Sequence, residues 1–513
     1  MFRLLSILCV FTLLPITSHA QVNDQGAQVL TNFVNGLLDY QKNTGEAFGT
    51  VKVEYEGDVK VEQMSDYYAV TFPRILLSAG DDLVEEEGET AGFEVDLGVI
   101  MMSVAPDTEE GYWKSILQFP DSIVLRDAGE TEFAINIGEQ NSVALLSERL
   151  GYFTKLNINL SDITFESGEE DELGFSLGGI QIVQNMTDEG NGVYSGPYAF
   201  SFKNMRIAPP HENEYMFAEE FKLDGNLDQV VLPTLAEYET KVMRFIEAMN
   251  AVEQGDEAAE GGMSDEDVMN ALIDMYVFDW NGFSANYSVK NFEFKSNDSQ
   301  EGVSLDNGSF GMSVAGLRSD TGAVQFGVSY GGLEMNGVEY DAAKQYTPED
   351  LNIDLKLDKV PYNSLYEMAE TSMQSVVANP EAAQMVGMGL MMRVPSLLTQ
   401  SGTTAEAKGF SSKGDVYNVT LDGAATADLK AIMGVTAQFK TVFEGLDTVL
   451  SMLKADENVS EFSGVIGDLE HFKSIGVQDK GPNGKPAYSY TFEITTDGKM
   501  LLNGQDAMTA LPQ

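Results

Sequence analysis

Apolar and polar residues alternate one for one along much of this chain, and that period of two constrains the fold more than any other feature. Val51, Val53 and Tyr55 are separated by Lys52 and Glu54, Ile353, Leu355 and Leu357 by Asp354 and Lys356, and Tyr488, Tyr490 and Phe492 continue the pattern near the C-terminus. Successive side chains of a strand point to opposite faces, so these stretches read as strands with one buried and one wet face. Turn signals separate them at Glu56-Gly57-Asp58, Asn336-Gly337, Asp422-Gly423 and Asp497-Gly498. Glycine beside Asn or Asp supplies the left-handed backbone of tight hairpins, which predicts antiparallel pairing.

Three segments repeat this pattern on a larger scale. GFEVDLGVIMMSVAPDTEEGYWKSILQF begins at Gly92, GFSLGGIQIVQNMTDEGNGVYSGPYAFSF at Gly174 and GVSLDNGSFGMSVAGLRSDTGAVQFGVSY at Gly302. Each runs strand, acidic turn, strand, which predicts one hairpin unit reused along an extended sheet. The middle copy contains G-x-S-x-G around Ser176, the spelling of a serine-hydrolase nucleophile elbow. The equivalent position is Glu94 in the first copy and Ser304 in the third, and an alternating strand follows where an elbow needs a helix. A second match, around Ser329, lies in another such strand, so neither serine is expected to be a nucleophile.

Helical periodicity interrupts the strands. It covers 28–41 with Val29, Phe33, Leu37 and Leu38 on one stripe, 235–252 with Val242, Phe245, Ile246 and Met249, and 264–277 behind a Ser264/Asp267 capping box. A pair of helices broken at Pro380 is expected over 363–398. A single long helix is expected over 426–453, with Ile432, Phe439, Val442, Phe443, Leu446, Val449, Leu450 and Leu453 along its seam. The fold class expected is therefore α+β and β-rich: a large curved antiparallel sheet of repeated hairpins, with amphipathic helices packed on one face. The expected organisation is a signal peptide at 1–20, a helix and hairpin sheet at 21–230, a helical insertion at 231–278, repeated hairpins at 279–345 and a strand-helix region at 346–513.

The N-terminus MFRLLSILCVFTLLPITSHAQ joins Arg3, an apolar run over 4–16 and the small-residue site Ser18-His19-Ala20. It reads as a secretory signal peptide cleaved after Ala20, giving a periplasmic or secreted product. Cys9 is the only cysteine, so the exported part gains no disulfide. The 81 acids against 30 bases leave a formal charge of −51, which excludes nucleic acid and anionic membrane surfaces as partners.

Zinc or copper chemistry lacks ligands, because His211 and His471 are the only histidines beyond the signal peptide. Asp224, Asn226 and Asp228 have the 1-3-5 spacing of a calcium loop, but Gln229 stands where the turn needs glycine and Leu235 where the bidentate glutamate belongs. No phosphate-cradling loop is present, seven Asn-x-Ser/Thr sequons are, and no cofactor or catalytic residue is expected. The segment EAAQMVGMGLMMRVPSLL carries Met385, Met388, Met391 and Met392 within two turns. Flexible thioethers suit a surface that accommodates variable apolar ligands, which makes these four the candidate ligand-binding residues. The competing expectation, and the favoured one, is that they fill gaps between helix and sheet.

The stretches TPEDLNIDLKLDKVPYNSLYEMAE (347–370) and YTFEITTDGKMLLNG (490–504) resemble those of the YdgA-like and related alphaproteobacterial envelope proteins. That resemblance implies an envelope location and no catalytic residues. The function expected is non-enzymatic, the binding of an apolar or lipid ligand in a groove between sheet and helices. The alternatives are a structural or protein-interaction role with an envelope partner, and, third, a hydrolase.

Overall fold

The computed structural model describes residues 22–47, 52–78, 93–127, 130–167, 174–208, 214–254, 267–268, 270–271, 280–296, 301–337, 344–378, 383–455, 463–481 and 484–510. Among them the chain forms 24 strands and 7 helices and is mostly antiparallel β-sheet. It separates into two compact units, residues 1–212 with 222–280, and residues 213–221 with 281–513. The expected signal peptide, the break at Pro380 and most of the expected helix at 264–277 lie outside the described residues.

The first unit opens with α1 (Asp24–Ala47), followed by β1 (Lys52–Glu56), β2 (Lys60–Gln63), β3 (Tyr68–Ser78), β4 (Phe93–Pro106), β5 (Tyr112–Gln118) and β6 (Ser122–Asp127). It continues with β7 (Glu130–Ser147), β8 (Tyr152–Ser167), β9 (Gly174–Asn185), β10 (Thr187–Gly190), β11 (Val193–Ala208), β12 (Tyr215–Val231) and α2 (Leu235–Gln254); the start of β12 belongs to the second unit. Asn23 caps α1, its Oδ1 accepting from the Gly26 N–H at 2.8 Å. The α1 stripe of Leu30, Phe33, Val34 and Leu37 is buried, and α1 lies on β1, β2 and β3. Each such side chain contributes about 1.5–3 kcal/mol on leaving water. In the same unit the buried Tyr68 and Trp113 rings meet edge to face at 5.8 Å.

β7, β8 and β11 run to 18, 16 and 16 residues, against roughly 5–6 for an ordinary strand. β8 and β11 each contain one left-handed residue that interrupts the pairing without shifting its register. Asp162 (φ 54°) interrupts β8 opposite Gly138, where a methyl on the glycine would come within 2.7 Å of the Asp162 Cβ, and Asn204 faces Gly178 in the same way. Across β3, β4 and β6, the buried Asp96 carboxylate accepts from Arg74 Nε at 3.1 Å, Arg126 Nη2 at 3.1 Å and the Gly98 N–H at 2.9 Å.

The second unit contains β13 (Gly282–Lys295), β14 (Gly302–Ala315), β15 (Gly322–Gly331), β16 (Glu334–Asn336), β17 (Asp350–Val360), α3 (Tyr362–Ala378), α4 (Ala383–Ser401), β18 (Thr404–Lys413), β19 (Asn418–Ala427) and β20 (Val435–Glu444). It ends with α5 (Leu446–Ala455), α6 (Ser463–Ile475), β21 (Val477–Lys480), β22 (Pro486–Ile494), β23 (Met500–Leu502), β24 (Gln505–Asp506) and α7 (Ala507–Ala510). Its strands pair antiparallel in the order β13-β14-β15-β17-β18-β19-β20-β22-β23. A core of Leu446, Leu450, Tyr488, Tyr490, Leu502 and Ala507 packs α5 and α7 on β22 and β23. The Tyr490 hydroxyl donates to the Phe472 carbonyl at 3.0 Å, tying α6 to the same strand.

Several expectations are corrected. The single helix expected over 426–453 is the end of β19, a turn, the strand β20 and the short helix α5. Gly434 (φ 71°) and Gly445 (φ 82°) set left-handed breaks at both ends of β20, and its β-branched run Val435, Thr436, Thr441 and Val442 favours extended backbone. Only Leu446, Val449, Leu450 and Leu453 keep the helical spacing, and all four are buried. Asp422-Gly423 is not a turn but the middle of β19, where Gly423 pairs with Phe439 and a methyl would come within 2.6 Å of the Phe439 Cα. The glycine is there for close approach. Asp224, Asn226 and Asp228 lie on the extended strand β12, which cannot curl their oxygens round one calcium ion.

Candidate functional site

The alternation that builds β13, β14, β15 and β17 sorts their side chains into two unlike faces. On one, cross-strand register aligns Ala285, Met312, Phe326 and Leu355 in a row, with Phe283, Val314, Val324 and Leu357 on one side of it and Tyr287, Phe310, Val328 and Ile353 on the other. The opposite face carries Ser284, Ser313, Gln325 and Lys356 in one row, and Ser288, Ser309, Ser329 and Asn352 in another. There the Ser309 and Ser329 hydroxyls lie 2.7 Å apart and Gln325 donates to Asp354 at 2.9 Å.

A sheet with one apolar face ordinarily buries it, and that was the expectation for Ile353, Leu355 and Leu357. Here half of the apolar side chains stand exposed and the other half are half-buried among them. Tyr287 is 52% exposed, Leu355 47%, Leu357 45%, and Phe310, Met312 and Phe326 between 37 and 39%. The rings pack on one another along the surface, Tyr287 to Phe310 at 6.1 Å and Phe310 to Phe326 at 5.3 Å, the latter edge to face. Charge gathers outside these rows. Near the start of β17, Lys413 donates to Asp350 at 2.7 Å and holds its carboxyl below the usual range, while a hydrogen bond with Asp415 pushes Glu349 up.

The four methionines lie elsewhere in the same unit, on α4. Met385, Met388, Met391 and Met392 are 67, 55, 80 and 79% exposed, so the expectation that they fill gaps between helix and sheet is overturned. At 100° per residue they span an arc of about 120°. Val386, Leu390 and Val394 occupy the opposite stripe and are half-buried, and α4 packs against α3 and meets β17 and β19. α4 thus has apolar residues on both sides, and its methionines face solvent because the packing is already done by the other stripe.

Ser176 sits within β9, paired with Thr164 and Arg206, and Ser329 within β15, so neither occupies a strand-to-helix turn. A cleft of about 390 Å³ opens beside Tyr417, Glu444, Asp447 and Tyr488. Its polar groups are engaged with one another, Asn418 donating to Glu444 at 3.3 Å and Tyr488 to Asp447 at 3.2 Å.

Sequence reasoning missed Tyr287, Phe310, Met312 and Phe326. Their signal was present in SFGMSVAG and VQFGVSYGG, where large apolar residues alternate with Gly and Ser. Comparison with protein-family models, curated proteins and solved structures returned no match.

Proposed function

We propose that the second unit is a non-enzymatic binding module that holds an apolar ligand of the acyl-chain or lipid class against the partly exposed apolar face of β13, β14, β15 and β17. The observation that carries this reading is the cluster of Tyr287, Phe310, Met312, Phe326, Leu355 and Leu357, left 37 to 52% exposed on one face of the sheet, with rows of Ser, Gln, Asn and Lys directly behind them. A contiguous apolar patch of this kind loses free energy to water, and a ligand that covers it recovers that cost. Met385, Met388, Met391 and Met392 belong to the same reading as a second, more adaptable apolar surface.

The reading extends to the architecture and location. The three segments starting at Gly92, Gly174 and Gly302 fall on the antiparallel pairs β4–β5, β9–β11 and β14–β15, which supports one hairpin unit reused along a curved sheet with helices on one face. The N-terminal apolar run and the resemblance to YdgA-like envelope proteins support a periplasmic or secreted site of action, where the ligand would be an envelope lipid or its acyl chains.

The test replaces Phe326 and Leu355, direct cross-strand neighbours, by Asp together. Both side chains are partly wet already, so the double variant is expected to fold and to bind a fluorescent fatty acid roughly tenfold or more weakly than the parent protein. A parent protein that bound no such probe, or a variant that bound it unchanged, would overturn the reading. Recovery of a defined envelope protein on cross-linking, lost in the same variant, would favour the interaction role instead.

A further inference from the structure

We infer that the outward stripe of α4 and the neighbouring loop 428–434 together dock on the surface of a zwitterionic lipid bilayer. This rests on the lipid reading of the same unit and adds where the ligand comes from.

The first ground is the helix. An amphipathic helix at a protein surface turns charges outward, yet α4 turns out Met385, Met388, Met391 and Met392 and has its half-buried stripe of Val386, Leu390 and Val394 behind them. The second is charge. Acids make up about one residue in six of this chain, but none occurs between Glu381 and Glu406, where Arg393 is the only charged residue.

The third ground is the loop. Leu429, Ile432 and Met433 are 68, 78 and 48% exposed, and they are held outward by a closed hydrogen-bonded turn. Asp428 N–H donates to the Gly434 carbonyl at 2.9 Å, Gly434 N–H to the Ala431 carbonyl at 2.9 Å, and Ile432 N–H to the Thr496 carbonyl at 3.0 Å. The loop adjoins α4, since a methyl on Gly434 would lie 3.7 Å from the Thr399 Cγ2.

Two apolar surfaces, one on an acid-poor helix and one on a preformed loop, each with a single exposed cation in Arg393 and Lys430, suit the boundary between headgroups and acyl chains. The cations match lipid phosphates, and thioethers adapt to irregular acyl packing. The formal charge of −51 repels anionic lipid, which selects a zwitterionic surface. No helix among the described residues is long and apolar enough to cross a membrane, so α4 is assigned to lie in the interface.

The experiment sediments the purified protein with phosphatidylcholine vesicles and with vesicles containing phosphatidylglycerol. The protein is expected to pellet with the first and less with the second at low salt. Met391→Glu with Met392→Glu, and separately Leu429→Glu with Ile432→Glu, should each cut partitioning roughly tenfold or more. An environment-sensitive dye at Met391→Cys, with Cys9→Ser, should shift to the blue on adding phosphatidylcholine vesicles, which reads the contact without a charge-bearing variant. Absence of pelleting and of the dye shift would overturn the docking assignment, as would a dimer that the Met391/Met392 variant dissolves. Docking lost with fatty-acid binding intact overturns this inference alone, and the converse overturns only the sheet-face reading.

Discussion

Asp96 is the residue at which charge, burial and strand pairing meet. Burial raises its pKa, but the hydrogen bonds from Arg74, Gly98 and Arg126 outweigh that and leave the carboxyl below its ordinary 3.8. A carboxyl lowered on folding stabilises the native state fully above its unfolded pKa, and this contribution disappears as pH falls through the lower folded value. Asp96→Asn should therefore destabilise the protein at pH 7 by on the order of 2–3 kcal/mol, below the 3–5 of a fully enclosed pair because Arg74 is well exposed. Urea melts at pH 7 and at stepped values below about pH 4 check this: the two proteins should converge in acid, and a constant gap would refute the assignment. None of this clamp was legible in the sequence, because Arg74, Asp96 and Arg126 are brought together only by the register of β3, β4 and β6. What was legible at this scale was negative, the strand setting of Ser176 and Ser329.

At the scale of elements, α4 and α5 are both apolar helices of the second unit, yet their side chains do opposite things. Leu450 of α5 is 4% exposed in the core against β22, while Met392 of α4 is 79% exposed. Leu450→Ala should cost about 2–4 kcal/mol, and Met392→Ala should stay within about 0.5 kcal/mol of the parent in thermal melts. Equal losses would mean that the methionine stripe is packed. The sequence predicted α2 closely and the middle of α1, which begins four residues before and ends six residues after the expected 28–41, because their apolar stripes are unambiguous while the polar ends of α1 carry no stripe. It merged β20 with α5, because Phe439, Val442 and Phe443 satisfy helical spacing as readily as Leu446, Val449 and Leu450 do. The glycines at 434 and 445 were the overlooked punctuation, and it is tertiary pairing of Phe439 with Gly423 and Phe492 that commits the segment to a strand.

For the whole molecule, charge sets a condition on stability. With 81 acids against 30 bases the folded chain repels itself, and the Debye length shortens from ~30 Å at 0.01 M salt to ~8 Å at 0.15 M. The melting temperature should therefore rise with sodium chloride over that range, and a flat profile in a differential-scanning series would show the acids to be too dispersed to interact. Composition alone licenses that prediction, since it needs only how many charges there are. Period-two alternation likewise determined that the chain would be mostly antiparallel sheet, because side chains in an extended backbone must point to opposite sides whatever they later touch. The pattern could assign Ile353, Leu355 and Leu357 to one face and Asp354 and Lys356 to the other, but it carried no information on whether anything would cover the apolar one. Only the tertiary structure decided that, by packing α5, α6 and α7 over β22 and β23 and leaving the rows of β13 to β17 partly open to solvent. Periodicity is a property of neighbours along the chain, whereas burial depends on which distant segments arrive.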